Sequence, residues 1–185
     1  MDKAISIVPG LQESVRSRVL WISGFTLLTV AGAYVEIPHQ PVPYTLQTFF
    51  VLLAGAVLGK RDGAISQLCY LSLGAVGLPV FSAGGFGLAK LIGPTGGYLL
   101  SFPVAAVVLG YMLENNKKLI WIVISFVMGT FVIFSLGTLQ LYFVYYHDWL
   151  LAFTNGFLIF SWWDMVKIAA AAGIYGQLVS KARES

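Results

Sequence analysis

The sequence contains few charged residues. Lysine, arginine, aspartate and glutamate make up 10% of its 185 residues, whereas a water-soluble domain usually carries about 25%. Hydrophobic residues make up 58% of the chain, and its mean hydropathy is +0.82. Such a composition excludes an ordinary soluble domain, so we expect an integral membrane protein surrounded by membrane lipid.

Residues for metal, disulfide and catalytic chemistry are also scarce. Cys69 is the single cysteine, so no disulfide can form within the chain, and we expect it to be buried in an apolar helix. His39 and His147 lack the cysteine or carboxylate array that a metal site needs. No nucleophile and base occur at a catalytic spacing, and the glycines match no nucleotide-binding motif. We therefore expect no enzyme activity, no metal and no cofactor. The net charge of +3 is typical of anchoring at anionic lipid and does not predict nucleic-acid binding.

Long apolar runs alternate with short charged connections. The runs are continuous and lack the period-two alternation of a membrane β-barrel, so they predict helices. Residues 1–18 are polar and do not resemble a cleaved signal peptide. We expect one all-α domain over residues 1–185 with six transmembrane helices: Val19–Val35, Leu46–Leu58, Gly63–Leu78, Gly96–Leu113, Leu119–Tyr146 and Leu158–Val179.

Basic residues fall in alternate connections between these runs. One side of the predicted bundle receives Lys3, Arg16, Arg18, Lys60, Arg61, Lys117, Lys118, Lys181 and Arg183. The opposite side receives only Lys90. Because cytoplasmic loops carry the excess of lysine and arginine, we predict a multi-pass protein of the cell membrane with both termini in the cytoplasm.

The segment IPHQPVPYTLQTF, Ile37 to Phe49, places three prolines in the first outer connection. Proline restricts its own φ and the conformation of the preceding residue, so Pro38, Pro41 and Pro43 predict an ordered bend. One interpretation is that they only end one helix and begin the next. The other is that they shape a binding site, because Gln47 follows one turn inside the next helix and can both donate and accept hydrogen bonds.

The second outer connection, Gly77 to Gly97, is long and rich in glycine. Connections of this length in a compact structure are commonly binding loops or lids. Its apolar and aromatic residues favour a loop that folds back onto the bundle, although an inert hairpin would have a similar composition.

Two ionisable residues, Asp164 and Lys167, interrupt the last apolar run. An ionisable residue at membrane depth costs about 2.5–3.5 kcal/mol, so it normally faces a partner or a cavity. Their i, i+3 spacing places both on one helix face, at roughly 9 and 13 Å from Leu158. An internal salt bridge that steadies the bundle is one interpretation. A ligand with both N–H groups and a carbonyl is the other, with Asp164 accepting and Lys167 donating.

Four ordered blocks, VPYTLQTFFVLLAGAVLG, YLSLGAVGLPVF, GPTGGYLLSF and WWDMVK, resemble the BioY family. These are the biotin-specific S components of energy-coupling factor (ECF) transporters. The resemblance extends from about Glu36 to Gly176. It implies a six-helix membrane protein that captures biotin from outside and works with a transmembrane T subunit and two ATPase subunits. Those partners would bind ATP, which this chain does not.

The resemblance also implies roles for individual residues. Asp164 and Lys167 match the family's D-x-x-K pair, expected to hydrogen-bond the ureido ring of biotin, with Gln47 nearby. The walls around the thiophane ring would come from Phe81, Phe86, Tyr98 or Trp163. The loop after L-P-V-F has no asparagine at the position that contacts ligand elsewhere in the family, and Ser82 is the candidate replacement. Docking to the T subunit would use small residues of the first helix, here Gly24, Thr29, Ala31, Gly32 and Ala33, although the strict A-x-x-x-A motif is absent.

Other functions fit parts of the pattern. An S component for another vitamin, such as riboflavin or thiamine, would share the fold but not the combined V-P-Y-T-L-Q-T and D-x-x-K blocks. A small integral-membrane enzyme could use Asp164 and Lys167 as acid and base. A channel is disfavoured because no row of polar residues continues from Asp164 towards the cytoplasm.

Overall fold

The computed structural model describes residues 14–114, 116–158 and 161–184. Its helices confirm the predicted all-α class. They are α1 (Val15–Tyr34), α2 (Gln47–Ala75), α3 (Leu88–Ile92), α4 (Gly96–Glu114), α5 (Leu119–Leu141), α6 (Trp149–Gly156) and α7 (Ser161–Glu184). A π-helical turn, Tyr142–Tyr146, continues α5, and two short strands, β1 (Glu36–Ile37) and β2 (Tyr44–Thr45), form an antiparallel pair. Of the basic residues assigned to one side, Lys3 and the side chain of Arg183 lie outside the described part.

Helix α2 reverses direction at Gly59. This glycine has φ 80° and ψ 176°, outside the helical region and on the side of φ that favours glycine. A Cβ placed on Gly63 would lie 2.8 Å from the carbonyl oxygen of Ala54, a contact that a straight helix could not make. Residues 47–58 and 60–75 therefore form two antiparallel halves, which correspond to the second and third apolar runs.

Two ion pairs join helix ends at one end of the bundle. Arg18, near the start of α1, donates two hydrogen bonds of 2.5 and 2.7 Å to the carboxylate of Asp62, just after the Gly59 reversal. Lys60 Nζ lies 3.0 Å from Oε2 of Glu114, at the end of α4. The starts of α1 and α5, the Gly59 reversal and the end of α4 therefore share the basic end that the loop charges predict.

Only two helices of the described chain are both long and apolar enough to cross a bilayer by length and composition. They are Gly96–Glu114 and Leu119–Tyr146, the latter including the π-helical turn. The count of six spans thus remains a prediction. The halves of α2 are short, and α7 contains several ionisable residues. The exposed surface of α5 is apolar, including Leu119, Ile120, Val127 and Phe131, as expected for a helix that contacts lipid.

The two outer loops contact each other at the opposite end. The β1–β2 hairpin encloses the three prolines, and the long glycine-rich loop lies beside it. The backbone N–H of Ala83 donates to Glu36 Oε2 at 3.0 Å, and the hydroxyl of Tyr34 donates to the carbonyl of Pro79. Because Val80, Phe81 and Ser82 are buried, the long loop folds back onto the bundle as expected. Its inert-hairpin alternative is therefore not favoured.

Most of the small-residue face predicted on α1 is directed towards α2. Thr29 and Ala33 have 0% exposure, and a Cβ on Gly32 would lie 2.8 Å from the ring of Phe50. These three residues are packed inside the chain, so they are not accessible to a partner in this arrangement. Gly24, with open space around it, and exposed Ala31 remain available.

Cys69 also differs from the sequence-based expectation. Cys69 is not buried, because it lies on the exposed face of α2. A single cysteine in an apolar helix gives no indication of which helix face it occupies.

Candidate functional site

Asp164 and Lys167 lie in the first turns of α7, with 3% and 6% exposure. Lys167 Nζ is 2.5 Å from Asp164 Oδ1. Helix α7 begins at Ser161, three residues after the predicted start at Leu158. Asp164 and Lys167 therefore lie closer to the start of their helix than the sequence predicted. The positive end of the helix dipole therefore also favours a carboxylate at Asp164.

The ammonium of Lys167 has three acceptors within the chain. Besides Asp164 Oδ1, it donates to Thr48 Oγ1 at 2.7 Å and to the backbone carbonyl of Thr45 at 3.1 Å. An ammonium has three N–H donors, so these acceptors can use all of them. Lys167 thus connects α7 to the β2–α2 junction and holds the carboxylate of Asp164 in place.

Asp164 retains an acceptor. Its Oδ2 atom is buried and has no hydrogen-bond partner among the described residues, whereas Oδ1 contacts Lys167 and, at 3.4 Å, the hydroxyl of Thr48. A buried polar atom without a partner is costly and normally calls for an explanation. Because Asp164 also lines a cavity, the unsatisfied oxygen is available to a ligand that donates a hydrogen bond.

Gln47 lies at the start of α2 in a polar network. Its Oε1 accepts from the hydroxyl of Thr45 at 2.9 Å, and its Nε2 donates to the hydroxyl of Tyr70 at 2.5 Å. Tyr70 in turn donates to the carbonyl of Val80 in the long outer loop at 3.1 Å. The network fixes the amide of Gln47 and joins both halves of α2 to that loop.

These groups surround a small cavity, which we call the inner cavity, of about 40 Å³. Thr45, Gln47, Thr48, Ser82, Thr95, Asp164 and Lys167 provide its polar lining, and Val42, Pro43, Tyr98, Leu99, Phe102 and Phe134 complete it. Ser82 Oγ has no hydrogen-bond partner within the described chain. The inner cavity therefore combines apolar and aromatic walls with a few polar groups, as small-molecule sites usually do.

A second cavity of about 370 Å³, which we call the vestibule, adjoins the inner cavity. Both are lined by Pro43, Ser82 and Thr95. The rest of the vestibule lining consists of Glu36, Pro38, His39, Gln40, Pro41, Ala83, Lys90, Pro94 and Tyr145. The proline hairpin thus contributes to both cavities, which favours a role in binding over one limited to ending helices.

The environment of the site extends to Tyr44 in the proline hairpin. Burial, and then the nearby charge of Asp164, raise the pKa of its hydroxyl. The ring contacts that of His39 edge to face, with 5.2 Å between centroids. Tyr44 is therefore neutral at physiological pH.

The structure brings five of the eight predicted ligand residues to the inner cavity: Gln47, Ser82, Tyr98, Asp164 and Lys167. The other three are not part of its lining. Phe81 is fully buried against Tyr70, and Phe86 is 60% exposed beside a separate outer cavity. Trp163 contacts Trp162 instead. This arrangement does not support the assignment of these three rings to the cavity wall. The sequence could not exclude them, because aromatic residues also occur in the core and on the surface.

Several cavity residues were not predicted. Thr45 at the end of β2 and Thr48 in the first turn of α2 flank Gln47, and this closeness in the sequence was a usable signal. The backbone carbonyl of Thr45 accepts a hydrogen bond from Lys167. That contact depends on backbone geometry, which the sequence does not indicate. Phe102 and Phe134 lie in apolar runs where an aromatic residue of the cavity cannot be distinguished from one of the core.

No cluster of histidine, cysteine and acidic side chains that could hold a metal occurs in the described ranges.

The fold and the site together define an all-helical membrane protein with a small-molecule cavity near one end of the bundle. The model of the BioY family matches residues 5–184, so the chain belongs to that family.

The relatives agree with this assignment. The chain is 45% identical over 148 residues to the biotin transporter BioY of Thermotoga maritima, covering 80% of this chain and 87% of the relative. It is 41% identical over 155 residues to the probable biotin transporter BioY of Pyrococcus horikoshii, covering 83% and 91% respectively.

A solved structure shares the fold. The S-component for biotin from an ECF-type ABC transporter superposes with a TM-score of 0.80 and 25% identity. The match covers 90% of this chain and 94% of that one.

Proposed function

We propose that this protein is the biotin-binding S component of an ECF-type transporter, which takes up biotin through the inner cavity. The observation that carries the proposal is Asp164 Oδ2, a buried acceptor without a partner in the described chain, on a residue that lines a cavity. The ureido ring of biotin offers two N–H donors and a carbonyl. One N–H would donate to Asp164 Oδ2.

The remaining polar groups suit the rest of that ring. The hydroxyl of Ser82 can donate to the ureido carbonyl, and Gln47 provides a fixed amide in the same lining. Tyr98 and Phe102 offer aromatic surface to the thiophane ring. Lys167 acts as a positioning residue, because its three acceptors in the chain already engage its ammonium.

The proposed orientation places the vestibule outside the cell. Six crossings, with both termini in the cytoplasm, would put the basic end containing Arg18, Lys60 and Arg61 on the inner side. The chain would work with a transmembrane T subunit and two ATPase subunits, which would bind the ATP. Gly24 and Ala31, the accessible small residues of α1, are candidates for the contact with the T subunit.

Equilibrium binding of biotin to the purified protein in detergent tests the function. We expect tight binding by the native protein and a large loss in Asp164→Asn, which exchanges an acceptor for an amide that can direct N–H groups into the cavity. Lys167→Met should also weaken binding, because it leaves the buried carboxylate without its counter-charge. Arg61→Gln, at the basic end, is the control.

The result that would overturn the proposal is a correctly folded native protein that binds no biotin. Riboflavin and thiamine, tested in the same assay, then distinguish an S component for another vitamin from a protein with another role. An enzyme using Asp164 and Lys167 is not favoured, since the relatives are transporters.

A further inference from the structure

The vestibule contains one cation whose role the proposed function leaves open. Lys90 lies on the short helix α3 of the long outer loop and is the one lysine or arginine among the described residues that line this cavity. Its side chain is half-buried and packs over Gly85, where a Cβ would lie 2.8 Å from Cε. The side chain is therefore held against the loop rather than extended into solvent.

The ammonium of Lys90 has no acidic partner in the described ranges. The ion pairs found there join Arg18 to Asp62, Lys60 to Glu114, and Lys167 to Asp164. Glu36 lines the same vestibule, but its carboxylate accepts from the backbone N–H of Ala83. A half-buried, unpaired cation in a cavity is a favourable position for an anion.

The position of Lys90 relative to the inner cavity fits the shape of an acid with a flexible tail. Thr95 belongs to the lining of both cavities, and its hydroxyl lies 3.5 Å from the backbone carbonyl of Lys90. A ring held at Asp164 would leave its tail to pass Pro43, Ser82 and Thr95 into the vestibule. The tail would end in the cavity that Lys90 helps to line.

We propose that Lys90 binds the carboxylate at the end of the ligand's tail and thereby selects the free acid over its neutral derivatives. The inference rests on the proposed biotin function and adds a specificity-determining residue to that site. Asp164 recognises the ring in either form, whereas Lys90 responds only to the charge of the tail.

The test compares biotin with biotinamide, in which a neutral carboxamide replaces the carboxylate. Binding of both compounds is measured by calorimetry for the native protein, Lys90→Gln and Lys90→Arg. A hydrogen bond to a charged group supports a preference of about tenfold for the acid in the native protein. Lys90→Gln should bind the two compounds equally, with unchanged affinity for biotinamide, and Lys90→Arg should retain the preference.

The controls separate this inference from the function on which it rests. Arg61→Gln removes an exposed cation at the opposite end and should leave the preference unchanged. If the native protein binds neither compound, the biotin function itself is wrong. If it binds both equally, or if Lys90→Gln keeps the tenfold preference or loses both compounds alike, the role of Lys90 alone is overturned.

Discussion

Thr48 provides a sharp test of how the candidate site is built. Its hydroxyl accepts from Lys167 Nζ at 2.7 Å and lies 3.4 Å from Asp164 Oδ1. Thr48→Val keeps the branched shape and removes the hydroxyl, so one N–H of the buried ammonium loses its acceptor. The nearest unsatisfied acceptor on the same pair of residues is Asp164 Oδ2.

The expected magnitude follows from this competition. A hydrogen bond to a charged group contributes about 1.5–3 kcal/mol. In Thr48→Val the ammonium can turn towards Oδ2, and a ligand must then displace it. Since about 1.4 kcal/mol corresponds to a factor of ten in affinity, we expect biotin binding to weaken by roughly tenfold or more. Thr48→Ser keeps a hydroxyl and should bind nearly as tightly as the native protein.

Isothermal titration calorimetry in detergent measures the affinities, and thermal unfolding of the same samples monitors the fold. Thr130→Val is the matched control, because Thr130 is also buried but its hydroxyl donates to the Phe126 carbonyl of its own helix. The reasoning is refuted if Thr48→Val binds biotin as tightly as the native protein. Equal losses in the serine and valine variants would likewise show that the hydroxyl is not the cause.

Two further predictions concern packing and orientation. Gly74→Ala should lower the thermal unfolding midpoint, because the new Cβ would overlap the ring of Phe81 and overpacking costs about 1–3 kcal/mol. Adding Phe81→Leu should recover part of the lost stability. If it recovers none, this clash is not the cause. In a Cys69→Ser background, a membrane-impermeant maleimide applied to intact cells should label Ala89→Cys but not Arg61→Cys. The reverse pattern would contradict the proposed orientation.

The polar part of the site could be predicted because ionisable residues are rare in an apolar chain. Asp164 and Lys167 are conspicuous in the last run for this reason, and Gln47 is conspicuous after the prolines. The all-α class followed from the uninterrupted apolar runs. For Asp164 and Lys167, the signal was a residue type that hydrocarbon does not tolerate without compensation.

The direction of apolar and small residues could not be predicted in the same way. In a soluble protein, the polar face of a helix shows which side is buried. In a membrane, lipid and core are both apolar, so Thr29 and Ala33 could not be assigned to the interior, nor Cys69 to the surface. For the same reason Phe81 could not be distinguished from the cavity rings Phe102 and Phe134.

The pairing of Asp164 with Lys167 has a consequence for the energetics of transport across a charged membrane. Whether the proton rests on the amine or on the carboxyl, the two groups together carry no net charge, and their charged atoms are only 2.5 Å apart. Moving one elementary charge through the membrane field involves about 2.3 kcal/mol per 100 mV. Displacement of this pair with a neutral ring would require almost no such electrical work, and a ligand carboxylate paired with Lys90 would form a second pair without net charge.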